Sequence, residues 1–145
     1  VLTKRVVSSF ERIAAKKDIQ LTFTSASGPM VVKGDMLYMT EIIENLISNA
    51  IKFSEWNKKV MIALGACDVN VQLKVQDEGP GLTEEDKQKI FQKFQRLSAR
   101  PTAGEYSTGL GLSIVKKYTE LMNGQIRYES TEGVGTSFYL EFPKV

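Results

Sequence analysis

Asn45-Leu46-Ile47-Ser48-Asn49-Ala50-Ile51-Lys52-Phe53-Ser54 carries two periodicities at once. At about 100° per residue on a helix, Asn45, Asn49 and Lys52 fall in one narrow stripe with Glu41, while Ile42, Ile43, Leu46, Ile47, Ala50 and Ile51 fill the opposite arc. The segment reads as an amphipathic helix that opens at Gly34-Asp35, with Asp35 as N-cap, and runs to about Ser54. For Glu41 and Lys52 alone, an ordinary solvated face accounts for the pattern. The asparagines do not fit it so well, because each costs roughly 0.5 kcal/mol or more relative to Ala inside a helix. Two of them spaced i, i+4 suggest a use for stacked amide oxygens, which are acceptable ligands for Mg²⁺ beside phosphate.

Outward from this helix the chain alternates. Leu2 to Ala15 reads as an amphipathic helix with Val6, Phe10, Ile13 and Ala14 on its inner side. Ile19 to Thr24 and Met30 to Lys33 read as strands around a turn at Ser25–Pro29. Lys59 to Cys67 and Val69 to Asp77 are strands. Thr83 caps a helix to about Phe94, with Asp86 close behind, and Leu97 to Thr108 is a polar loop. Gly109 or Gly111 starts a helix ending at Met122, stopped by Asn123-Gly124. Gln125 to Ser130 and Thr136 to Phe142 are the last strands. This order implies an α+β sandwich: a mixed, mostly antiparallel sheet covered on one face by about three helices, in one domain spanning residues 1–145.

Composition narrows the chemistry. The chain has 145 residues, a formal net charge of +2, and no histidine. No Ser-His-Asp triad, Cys-His pair or His-ligated metal is available. A lone cysteine, Cys67, excludes an internal disulfide. The small charge gives no argument for nucleic acid or membrane binding, and no apolar run reaches the length of a membrane helix. The chain begins Val1-Leu2-Thr3, which reads as a piece of a longer protein.

Two glycine-rich runs complete the candidate site, Asp77-Glu78-Gly79-Pro80-Gly81 and Ser107-Thr108-Gly109-Leu110-Gly111-Leu112. Val69, Val71, Leu73 and Val75 share a strand face, and Asp77 is in phase with them. A carboxylate on the buried side needs a donor, and the exocyclic amine of adenine would serve. Equally, Asp77 begins a turn and can take the amides of Gly79 or Gly81. Thr136 is in phase with Phe138, Leu140 and Phe142, so its hydroxyl sits beside Asp77 if the two strands are neighbours. Gly79 and Gly81 allow close backbone approach, though turns use Gly-x-Gly constantly. Gly109 and Gly111 stand where free amides at a helix start attract phosphate, or simply punctuate a loop.

Taken together, these segments resemble the ATP-binding catalytic (HATPase) domain of sensor histidine kinases, within the gyrase, heat-shock chaperone, histidine kinase and MutL superfamily. Asn45 to Ser54 looks like the N box and Asp77 to Gly81 the first glycine box. Ile90-Phe91-Gln92-Lys93-Phe94, followed by Gln95-Arg96, looks like the F box. Ser107 to Val115 looks like the second glycine box, and Gly133-Val134-Gly135-Thr136-Ser137-Phe138 the last glycine-Thr box.

The resemblance implies a Bergerat-type ATP-binding fold with ATP and Mg²⁺ as ligands. It implies that Asn49 ligates Mg²⁺, that Asn45 lies close to the phosphates, that Lys52 contacts phosphate and that Phe53 packs on adenine. Asp77 would accept from the adenine amine with help from Thr136, beside Gly79 and Gly81. The segment Thr108, Gly109, Leu110, Gly111 and Leu112 would close on the phosphates with its backbone amides. Arg96, and with it Arg100, would neutralise the transferring phosphoryl, and Phe91 and Phe94 would anchor the lid.

Gyrase-type members carry a Glu at the position of Asn45. An amide is no general base, so the resemblance implies transfer of the γ-phosphate to a histidine rather than hydrolysis. That histidine would lie on a dimerisation and phosphoacceptor domain, in cis or on a partner subunit, with a response regulator receiver domain downstream. The implied setting is a cytoplasmic, monomeric domain of a homodimeric kinase, without nucleic-acid or direct membrane contact. A degenerate ATP-binding regulatory module and a serine-kinase-type relative are the competing expectations. Ser107, where many members have Gly, and Glu55-Trp56-Asn57, in place of a Pro/Gly-rich turn, depart from the family pattern.

Overall fold

Asp35 caps the central helix: its carboxylate accepts from the Leu37 and Tyr38 amides at 2.7 and 3.2 Å. The helix, α3, spans Met36–Phe53. Its buried side chains are Ile42, Ile43, Leu46, Ile47, Ala50 and Ile51, the arc that periodicity assigned to the core. Burial of each large aliphatic is worth about 1.5–3 kcal/mol. That outweighs the helix penalty of Asn45 and Asn49 and leaves the opposite stripe free for polar groups.

The computed structural model describes residues 1–28, 30–67, 69–93, 100–103 and 109–145. Before α3 come α1 (Leu2–Ser9), α2 (Glu11–Ala15) and β1 (Gln20–Ser25). After it come β2 (Lys59–Cys67), β3 (Asn70–Asp77), α4 (Glu84–Lys89), α5 (Gly111–Leu121), β4 (Gln125–Thr131) and β5 (Gly135–Pro143). The five strands lie in the order β1-β2-β3-β5-β4. β1 and β2 are parallel, joined by α3 as the crossover, and every other neighbouring pair is antiparallel. Val60, Ile62, Leu73, Val75, Phe138 and Leu140 form one core with the inner faces of α1, α3 and α5. The opposite sheet face carries side chains such as Met61, Lys74, Arg127 and Tyr139. The fold is the expected α+β sandwich.

Local expectations changed at four places. The first helix breaks at Phe10. Ser9 Oγ turns back to the Val6 carbonyl at 2.6 Å, a bond that competes with the helix ladder. The break rotates α2, so Ala14 is buried and Ile13 is 47% exposed. Met30–Lys33 forms no strand. Among the described residues, Val32 bridges to Lys144, and the Val145 amide donates to the Val31 carbonyl. Val69 lies outside β3 and is 76% exposed. Finally, α4 ends at Lys89, and Ile90 and Phe91 beyond it pack against the core. Its start is as expected, with a capping box between Thr83 and Asp86.

Candidate nucleotide site

The antiparallel register of β3 and β5 sets Val75 opposite Phe138 and Asp77 opposite Thr136. Asp77 therefore continues the helix-facing side of its strand beyond buried Val75. Its Oδ1 accepts from the Gly79 amide at 2.8 Å and from the Thr136 amide at 3.3 Å. Among the described residues, Oδ2 takes no hydrogen bond. Burial pushes the Asp77 carboxyl above its ordinary value, and the Gly79 and Thr136 amides only partly oppose that shift. The turn reading and the core-facing reading of Asp77 thus hold together, one for each oxygen.

Beside Asp77 lies a cleft open to solvent. Leu46, Asn49, Ala50 and Phe53 of α3 form one wall. Val75, Asp77, Thr136 and Phe138 form the floor, with Pro80, Gly81 and Leu82 on one side and Leu112 of α5 on the other. An apolar slot with a carboxylate on its floor suits a flat heteroaromatic ring bearing an amine. Close backbone approach requires glycine here: Gly81 has φ of +74°, and a side chain on it would run into the Thr131 carbonyl.

The other end of the cleft is polar. Gly111 is the first residue of α5. A Cβ on it would stand 3.1 Å from Asn45 Oδ1 and 3.4 Å from Asn49 Nδ2, so the start of α5 lies against the two stacked amides of α3. First-turn amides of a helix lack intrahelical partners and favour anions. Asn45 Nδ2 donates to its own helix at the Glu41 carbonyl, 2.7 Å away, which turns its oxygen outward. The side chains of Asn49 and Lys52 make no hydrogen bond to any described residue. Among the described residues, no group of three or more His, Cys, Asp and Glu side chains is arranged to hold a metal ion.

Residues 34–145 match the family described as histidine kinase-, DNA gyrase B-, and HSP90-like ATPase. The chain belongs to this ATPase family. It is 35% identical over 148 residues to the sensor protein EvgS of Escherichia coli strain K12, covering 98% of this chain but 12% of EvgS. It thus spans only a small part of that relative. The solved catalytic domain of the histidine kinase ThkA superposes with a TM-score of 0.84 at 33% identity, over 99% of this chain and 90% of that one. ThkA is also solved in complex with the response regulator TrrA, with a TM-score of 0.79 at 30% identity, covering 99% of this chain and 40% of that one. Full-length ShkA, solved with AMPPNP, gives 0.84 at 28% identity, covering 99% and 29%.

In this ATPase domain the structure brings together Asn45, Asn49, Phe53, Asp77, Gly79, Gly81, Gly111, Leu112 and Thr136. Gly109, at φ of +75°, and Leu110 lead into α5. Phe91 is half-buried, edge-on to Tyr128 at 6.1 Å, with Lys116 Nζ 5.3 Å from its ring. Arg100 is exposed. Arg96, Thr108 and Phe94 lie outside the described residues.

Pattern reading missed Ser130 and Lys17. Ser130 Oγ bonds the loop that walls the cleft. Lys17 is 4% exposed, and its Nζ donates to the carbonyls of Ile51 and Lys52 at 3.0 and 3.1 Å and to Thr102 Oγ1 at 2.5 Å. It caps the C-terminal end of α3, where a cation meets the negative end of the helix dipole. It also ties residues 100–103 to that end, since the Thr102 amide bonds the Lys52 carbonyl.

Proposed function

We propose that this domain binds Mg·ATP in the cleft and donates the γ-phosphate to a histidine on a separate dimerisation and phosphoacceptor domain of a two-component sensor kinase. The observation that carries the reading is Asp77. One of its oxygens is spent on backbone amides and the other is free at the floor of an apolar slot. Adenine then enters between Leu46, Ala50 and Phe53 on one side and the sheet on the other, with its amine donating to Asp77 Oδ2.

The phosphates point to the start of α5, where Gly109, Leu110 and Gly111 offer backbone amides and Lys52 supplies positive charge. Asn49 would hold magnesium through its amide oxygen, a hard donor that fits an ion completing its shell with water and phosphate. When bound, the ion neutralises phosphate charge. Arg96 and Arg100 would add positive charge on the lid side.

The transfer step forms a bond between an imidazole nitrogen of the acceptor histidine and the γ-phosphorus. It breaks the bond from that phosphorus to the β,γ-bridging oxygen, and ADP leaves with the electron pair. Asn45 cannot take a proton from water, and this chain has no histidine of its own, so productive transfer needs the second domain. A response regulator receiver domain would be the next acceptor, as the ThkA–TrrA complex suggests by analogy. Among the described residues no helix is long and apolar enough to cross a membrane, and use of ATP suits a cytoplasmic domain, monomeric alone and part of a homodimer in the whole kinase.

The test supplies γ-labelled ATP, Mg²⁺ and a His-bearing acceptor segment in trans. Acid-labile label on the acceptor is the expected result. Label released only as inorganic phosphate would overturn the kinase reading in favour of an ATPase.

A further inference from the structure

Ser130 sits on β4 directly opposite Thr136, and its hydroxyl has three neighbours. The Leu82 amide donates to Ser130 Oγ at 2.8 Å. The Gly135 carbonyl lies 3.2 Å from it, and Thr136 Oγ1 lies 2.9 Å from it. A hydroxyl has one proton and two lone pairs. The carbonyl of Gly135 can only accept, so the Ser130 proton goes there. The Leu82 amide takes one lone pair. The contact with Thr136 is then a hydrogen bond only if Thr136 donates. This is the one arrangement that satisfies all three contacts, and it commits the Thr136 proton to Ser130.

The consequence falls on the floor of the cleft, where Thr136 stands beside Asp77. Asp77 Oδ2 is an acceptor. With its proton committed, Thr136 Oγ1 offers only a lone pair to the cleft. On this floor the base edge therefore meets two acceptors, Asp77 Oδ2 and Thr136 Oγ1. A 6-amino purine presents hydrogens to such an edge. A 6-oxo purine sets its carbonyl oxygen against these acceptors and has only its N1–H to donate, so one acceptor is left unpaired, an arrangement that costs affinity.

We infer that Ser130 is a specificity-determining positioning residue: by holding the Thr136 proton it keeps the base site acceptor-only, and so selects adenine over hypoxanthine and guanine. The inference rests on the proposed adenine reading of the cleft. Ser130 touches no base itself and acts through Thr136. Its bond to Leu82 also braces the Pro80–Leu82 loop, beside the bond from the Gly133 amide to the Pro80 carbonyl at 2.7 Å.

The experiment is calorimetric titration of the chain with ADP and with IDP, in wild type, Ser130→Ala, Ser130→Thr and Thr136→Val. In Ser130→Ala the Thr136 hydroxyl is free to donate to a 6-oxo group. The ratio of ADP to IDP affinity should fall about tenfold, the effect of roughly one hydrogen bond. Ser130→Thr should restore the ratio. Thr136→Val, which leaves the Ser130 bonds to Leu82 and Gly135 in place, should lower it independently, so the inference stands or falls even if Ser130→Ala does not fold.

Loss of bracing alone would weaken both nucleotides in proportion. An unchanged ratio in Ser130→Ala or in Thr136→Val therefore overturns the inference while leaving the adenine reading intact. A wild-type protein without preference for ADP over IDP overturns the adenine reading itself.

Discussion

The two ends of the cleft are built on different terms. At the proposed base end most polar groups of the described residues are committed inside the protein. Asp77 Oδ1, the Gly79 and Thr136 amides, Ser130 and the Leu82 amide bond one another, which leaves Asp77 Oδ2 and a lone pair of Thr136 Oγ1 for a ligand. At the proposed phosphate end the reverse holds. The side chains of Asn49 and, farther along α3, Lys52 make no hydrogen bond among the described residues, and the start of α5 lies against Asn45 and Asn49. A rigid base slot supplies selectivity, because a mismatched group leaves buried partners unpaired. Uncommitted amide and ammonium groups at the other end are available to an incoming anion.

Asn49→Ala gives the largest break in that contrast. Metal-dependent transfer to a His-bearing acceptor should fall at least about 100-fold, since even secondary partners of a metal commonly matter tenfold to a hundredfold. Nucleotide binding without Mg²⁺ should change little. Equal loss with and without the metal would move Asn49 from the metal to general packing.

Asp77→Asn tests the other end. Affinity for adenine nucleotides should fall about 10- to 100-fold, as expected for a charge-assisted bond worth about 1.5–3 kcal/mol. Stability should not fall. The folded-state carboxyl is raised by burial, so the folded protein binds its proton more readily than the unfolded chain does. The charged form then costs stability above the raised midpoint, and that cost disappears as pH falls through the window between the raised and ordinary values. Asn keeps the acceptor for the Gly79 and Thr136 amides without the charge, so thermal melts at neutral pH should show equal or higher stability. For the wild type, ADP affinity should drop as pH falls through that same raised window, because a protonated Asp77 no longer offers a charged acceptor. Flat affinity across it would remove Asp77 from the base contact.

How far these residues were legible in the sequence depends on what each one needs. The inner and polar arcs of α3 follow from local periodicity alone, and the structure keeps both. Asp77 needs only the alternation of Val71, Leu73 and Val75 along one strand. Ser130 needs, besides the local pairing of β4 with β5, the return of the Pro80–Leu82 loop onto that turn, a contact 48 residues away in sequence with no local signature. Lys17 follows Lys16 and looks like a surface lysine. Only the tertiary approach of the α3 C-terminus and Thr102 buries it. The failures at Ile13 and at Met30–Lys33 have the same origin: a break at Ser9 and Phe10 resets one helix face, and a short β-rich segment pairs, among the described residues, through Val32 with Lys144 and through Val31 with Val145.

Lys17→Met tests the support at the C-terminal end of α3. The substitution removes a buried donor shared by the Ile51 and Lys52 carbonyls and Thr102 Oγ1, at a cost of about 2 kcal/mol in unfolding free energy. Denaturant melts should show that loss, while ADP binding at the base end stays within a few-fold of wild type.

Gly111→Ala is the mildest change. Alanine favours a helix, though at its first residue by less than the ~1 kcal/mol of an interior site, and its methyl would press on Asn45 and Asn49. ATP affinity should fall a few-fold with stability held or raised. A loss of stability would mean that the amides and α5 cannot yield by a few tenths of an ångström.

The most direct test of an adenine site with a metal-dependent phosphate end is calorimetric titration of the chain with a nonhydrolysable ATP analogue, with and without Mg²⁺. The account predicts binding that strengthens with Mg²⁺, prefers adenine over guanine, and weakens sharply in Asp77→Asn. Absence of binding at millimolar ligand, or equal affinity for the guanine analogue, would contradict it.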